Sequence, residues 1–216
     1  MEANKISLKT IAISMAAIFL IEAGFRFIAH GKIASPLPTL GTLRCLESIL
    51  LIIIVWRLEK NTAAIGLART NIMSGFITGL IWSAYFGFIA AGIFIVLLAA
   101  GVDPLKYFQS LRPSSWRHGL VLLLVGGFIG PIAEEIFFRG IIFGFFRKWG
   151  ATTAIVISTL IFVFTHRIGG SIPITQVVGG VVFAIAYERE KNLMVPITIH
   201  CLGNLAIFSL PILLWR

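Results

Sequence analysis

Charge is scarce in this sequence: 12% of its 216 residues are Asp, Glu, Lys or Arg, against roughly 25% in soluble domains. With 58% hydrophobic residues, that scarcity excludes an ordinary water-soluble core. Acidic groups are the rarer sign, nine Asp and Glu against eighteen Lys and Arg, for a formal charge of +9. The basic residues are scattered through short connections rather than gathered in a patch, which excludes a nucleic-acid partner and reads as a membrane topology signal. Only two cysteines occur, Cys45 and Cys201. Both lie in hydrophobic stretches without CxxC or zinc-ligand spacing, so a disulfide framework is excluded and both are expected as small buried apolar residues. HExxH, internal repeats, low-complexity tracts and Pro/Ser-rich linkers are also missing. One integral membrane domain over residues 1–216 follows. The first apolar run contains Glu22 and Arg26 and is followed by no small-residue cleavage site, so it is expected to be retained as a span.

What is present is a series of long apolar runs, each near the roughly 20 residues that cross a hydrocarbon core. Bounded by charge, Gly or Pro, they are Thr10 to Ile28, Leu40 to Trp56, Phe76 to Ala100, Gly119 to Phe146, Ala151 to Phe164, Ile174 to Tyr187 and Leu193 to Leu214. The fold class is therefore all-α, a polytopic transmembrane bundle of about seven spans; the cell (inner) membrane of a prokaryote is its expected location. The fifth and sixth runs are short, as for helices shielded by neighbours. Two connections read as interfacial: Arg57 to Ser74, and Asp103 to His118, which mixes Lys106, Arg112 and Arg117 with Tyr107, Phe108 and Trp116.

Ionisable groups within spans cost roughly 2.5 to 3.5 kcal/mol each, so each needs a partner, a wet cavity or a task. Three sets stand out. In the fourth span Glu134 and Glu135 precede Arg139. Glu135 and Arg139 are four apart on one face and can pair. Glu134 points about 100° away and is left for another partner. Pro131, with Gly126, Gly127 and Gly130 beside it, predicts that this helix bends or opens just before the carboxylates. His166 ends the fifth span, with Phe162 one turn below and able to pack on the imidazole. His200 and Asn204 share a face of the seventh span, whereas Cys201 is turned about 100° from His200 and cannot serve as its nucleophile. Together these groups can activate water and stabilise an oxyanion. No Ser or Cys stands one turn from a His in these sets, so direct attack by water is favoured over an acyl-enzyme.

Glu134-Glu135-x-x-x-Arg139, then Phe162-x-x-x-His166, then His200-x-x-x-Asn204 resembles the three ordered motifs of the CAAX prenyl endopeptidase and bacteriocin-processing (ABI) family. The resemblance covers residues 119–204. It implies a four-helix catalytic core and a glutamic-type intramembrane endopeptidase acting near the C-terminus or leader of a hydrophobic or lipidated, including prenylated, peptide substrate. It also implies no obligate cofactor. By the same resemblance Glu134 is the general base, His166 binds and polarises the water, and His200 and Asn204 donate to the oxyanion. Glu135, Arg139 and Phe162 support the site.

Two other readings use the same residues. Glu134, His166 and His200 would make a His2Glu zinc site with an open water position. A non-catalytic immunity protein or proton-coupled carrier would use them as binding groups or a relay, although carriers usually show a repeat that is absent here. Glu22 with Arg26, and Arg44 with Glu47, have the spacing of same-face charge pairs in the first two spans, intrahelical or with the neighbouring helix; a structural role is expected, with substrate gating as the sharper alternative.

Overall fold

The computed structural model describes residues 6–29, 36–103, 113–166 and 173–213. Among the described residues there are seven long helices and no strand: α1 (Leu8–Ala29), α2 (Pro36–Leu58), α3 (Ile72–Ala99), α4 (Trp116–Trp149), α5 (Ala151–Thr165), α6 (Ile174–Glu190) and α7 (Met194–Leu213). They coincide with the seven predicted runs. Leu214, at the end of the last run, lies outside the described residues. Two 3-10 turns, Thr62–Ile65 and Arg69–Asn71, join α2 to α3.

Five helices, α1, α2, α3, α4 and α7, carry apolar stretches long enough to cross a bilayer. Their outward faces are bare hydrocarbon, with Phe19 71% and Phe88 83% exposed; in water such surface would drive association. The chain is a multi-pass integral membrane protein. The central post is α4, in which Ile141, Ile142 and Phe143 are consecutive and all buried. A helix can bury successive residues only when neighbours cover every side, and α1, α2, α5, α6 and α7 all pack on it. By contrast, α3 lies at the edge, seated on α7. A Cβ at Gly79 would stand 2.5 Å from Thr198 Cβ, so small residues set this close approach.

The start of α1 and the end of α2 are tied by Glu59, which follows α2. Its Oε1 accepts the Ser7 N–H at 2.9 Å and the Thr10 hydroxyl. Burial pushes the Glu59 carboxyl up, but these hydrogen bonds outweigh burial and hold it below the usual carboxylate range.

Two expectations need correction. Cys45 is exposed on the outer face of α2, whereas Cys201 is buried; an apolar thiol is as acceptable to lipid as to a core. Glu22 does not pair within α1 but reaches Arg44 on α2, 3.1 Å from its Nη2. Of the second interfacial connection, Trp116 is exposed with the Arg117 guanidinium over its ring at 5.5 Å. Lys106, Tyr107, Phe108 and Arg112 lie outside the described residues.

Candidate active site

The opening predicted near Pro131 is a wide turn. Residues Val125–Ile129 of α4 form a π-helix, and a second π segment spans Ile136–Phe143. The backbone chemistry of the first explains a side-chain position on another helix. Gly130 N–H bonds back to Val125 O, and Pro131, next in line, has no N–H. The Gly126 carbonyl is thus left without a helical donor, and Asn204 of α7 supplies one, Nδ2 to O at 2.9 Å. Leaving that carbonyl unpaired inside the bundle would cost about 1 to 3 kcal/mol. Asn204 therefore pins α7 to the wide turn with one amide hydrogen and keeps the other free.

Just beyond this turn stand the two glutamates, separated by environment as their helix positions predict. Glu135 is fully buried and holds Arg139, also fully buried, at 3.1 Å between Oε1 and Nη1. Arg139 Nη2 donates to the Gly180 carbonyl of α6 at 3.1 Å. Glu134 is partly exposed and faces two imidazoles: its Oε2 lies 3.6 Å from His166 Nε2 and 3.8 Å from His200 Nε2. Both distances exceed a direct hydrogen bond and fall where a bridging water fits.

The far side of each ring fixes its orientation. His166 Nδ1 donates to the Phe162 carbonyl at 2.8 Å, so in the neutral ring Nε2 carries the lone pair toward Glu134. His200 Nδ1 lies 2.7 Å from Glu135 Oε1, a carboxylate that only accepts, so this nitrogen carries the proton. This contact was not foreseen: Glu135 was expected to serve Arg139 alone. Phe162 packs on the His166 ring at 4.4 Å, as predicted, and its face also receives the Arg139 guanidinium at 4.5 Å.

Two contributors were missed. Phe183 of α6 stacks on His200 at 4.5 Å with planes 22° apart, and lies 5.3 Å from the Arg139 guanidinium. Gly180 offers the carbonyl already described. The only sequence signal was a Gly-Gly pair three residues before an aromatic on a short apolar helix, which ordinary packing also produces.

Glu134 and His166 line a cavity of about 520 Å³, within the size range of ligand pockets. Its opposite wall comes from α1 and α2 and carries Glu22, Arg26, Arg44 and Glu47. Arg44 pairs with both Glu22 and Glu47. Among the described residues no group of three His, Cys, Asp or Glu side chains is placed to hold a metal ion.

Residues 114–206 match the family described as type II CAAX prenyl endopeptidase Rce1-like. The chain is 32% identical over 126 residues to the YdiL protein of Bacillus subtilis (strain 168), covering 53% of this chain and 51% of that one. It is 40% identical over 91 residues to the membrane-embedded CAAX protease MroQ of Staphylococcus aureus (strain USA300), covering 38% of this chain and 36% of that one. The chain thus spans about half the length of these curated relatives, or less. No solved structure matches it. All three motifs lie within the matched segment, and both relatives are bacterial proteins.

Proposed function

Starting from that family match, we propose that the chain is an intramembrane endopeptidase in which Glu134 activates water directly. The observation that supports it best is the convergence of one partly exposed carboxylate and two Nε2 atoms from three helices, 3.6 and 3.8 Å from Glu134 Oε2. A water held by Glu134 and His166 gives a proton to Glu134 as its oxygen attacks the peptide carbonyl. The oxyanion that forms is met by the second amide hydrogen of Asn204 and by His200. Donation from His200 requires Nε2 to carry a proton, because Nδ1 is already committed to Glu135; the donor is then an imidazolium held by Glu135 on one side and facing the oxyanion on the other. Glu134 returns its proton to the leaving amine, and the tetrahedral adduct collapses to a carboxylate and an amine. Glu135 and Arg139 hold this geometry without touching the reacting atoms.

The substrate class follows from the setting: a hydrophobic or lipidated peptide presented from the bilayer, cut near a terminus. No cofactor enters the proposed reaction. The test is hydrolysis of a membrane-tethered peptide by the purified protein in nanodiscs, with products identified by mass. We expect cleavage to survive exhaustive chelation and to yield no hydroxamate when hydroxylamine is present, since no acyl-enzyme forms. Loss of activity on chelation with recovery on zinc would establish the metallopeptidase reading instead.

A further inference from the structure

The cavity before Glu134 has two walls of different origin. Glu134 and His166 lie inside the family-matched segment 114–206, whereas Glu22, Arg26, Arg44 and Glu47 lie outside it, on α1 and α2. The first wall carries the chemistry that the family match supports. The second is where this chain can select what it admits.

The charges of that second wall are unequally partnered. Arg44 is held from both sides, by Glu22 across the helix interface and by Glu47 one turn along its own helix. Arg26 stands one turn beyond Glu22 on α1, a spacing that permits an intrahelical pair, but the Glu22 carboxylate is turned to Arg44 instead. Among the described residues Arg26 has no ion pair or hydrogen bond, and its side chain is exposed at the cavity wall. A guanidinium cannot be neutralised by losing its proton, and in a membrane helix it requires an anion or a wet cavity. Two carboxylates and two guanidiniums leave this wall with no net charge, and the further carboxylate of the cavity, Glu134, stands on the other wall. A planar fork of donors matches a carboxylate in particular.

We propose that Arg26 determines specificity by binding a carboxylate of the substrate peptide while the scissile bond lies at Glu134. This deepens the peptidase reading and rests on it. The carboxylate is either the peptide's C-terminus or an acidic side chain, and one experiment separates the two. Full-length protein in phosphatidylcholine nanodiscs is titrated with three fluorescent hydrophobic peptides: one with a free C-terminus, its C-terminal amide, and the amide carrying one internal Glu. Binding is read by anisotropy and cleavage is followed separately.

Wild type binds one of the acidic peptides at least about tenfold more tightly than the neutral amide, the preference expected of a single charge-assisted contact. Which acidic peptide is preferred identifies the source of the carboxylate. R26Q binds all three like the neutral amide, and R26K keeps only part of the preference, having lost the fork. Equal affinities in wild type, or a preference undiminished in R26Q, would overturn the proposal and leave Arg26 as an anchor for lipid headgroups. If R26Q does not fold, R26M decides: it keeps an apolar stem without the charge, and a preference undiminished there also overturns the proposal. Cleavage without any preference sinks this subsite and spares the peptidase reading; preference without cleavage does the reverse.

Discussion

Glu135 Oε1 accepts His200 Nδ1 at 2.7 Å across the α4 to α7 interface, and the same oxygen receives Arg139 Nη1 at 3.1 Å. One carboxylate thus orients an imidazole and neutralises a guanidinium. Among the described residues its neighbour Glu134 has no ion pair with an Arg or Lys; it faces the two imidazoles and is partly open to the cavity. The adjacent glutamates should accordingly fail in different ways.

Glu134→Gln keeps the side-chain shape and removes the base. We expect peptide cleavage to fall by at least about a hundredfold, the low end for loss of a general base, with the melting temperature in detergent preserved. A folded, active Glu134→Gln protein would move the base elsewhere.

Glu135→Gln leaves Arg139 without a counter-charge at a fully buried position. Breaking a buried pair from one side costs about 3 to 5 kcal/mol, so the melting temperature should drop clearly, with activity lost as a consequence. If this variant melts like wild type yet is inactive, Glu135 takes part in the chemistry itself.

Gly126→Val tests the pin between α4 and α7. A Cβ at Gly126 would lie 2.7 Å from Phe208 Cε2, on the rim of a partly buried ring, so that ring must swing aside, and the branched Val disturbs the seating of α7 beside the carbonyl that Asn204 holds. Activity should fall more than stability, because Asn204 lies in the proposed oxyanion site. Gly87→Ala, where a Cβ meets nothing within 4 Å, serves as the control and should leave both unchanged. Equal behaviour of the two variants would remove Asn204 from the account.

The Glu59 clasp should be sensitive to acid. Its carboxyl is held below the usual range when folded, so the unfolded chain takes up the proton first as pH falls. The stabilisation is therefore complete above the unfolded carboxylate's range and is lost as pH drops through the lower folded value. Melting temperatures of wild type and Glu59→Gln should diverge above the ordinary carboxylate range of about pH 4 to 5 and converge as pH falls below it. A constant gap across that interval would mean that Glu59 acts by packing alone.

The spans were legible because lipid demands apolar length, and a run of twenty such residues has few other readings. So was the pairing of Glu135 with Arg139, since an i to i+4 partner is a local matter. What escaped was tertiary choice among equal options. Glu22 had a satisfactory partner in Arg26 one turn away, yet Arg44 took it; helical spacing says who can meet, not which neighbour wins. The contact of His200 with Glu135 depends on how α7 rotates against α4, which the face of α7 alone does not state. Phe183 was invisible for a plainer reason: an aromatic on an apolar helix has the same pattern whether it stacks on a histidine or faces lipid.

The wide turn at Val125–Ile129 also settles where the Pro131 ring can go. A π turn accommodates one residue more than an α turn, so deleting a single residue there would let the ladder close in ordinary α-helical fashion with the flanking segments nearly in their present phase. Glu134, Glu135 and Arg139 would keep their spacing and their faces, but Gly126 would then stand four residues before Pro131, where a proline ring crowds the carbonyl. The extra residue thus keeps the Pro131 ring and the Asn204 amide from competing for one oxygen, a constraint on segment length that no motif records.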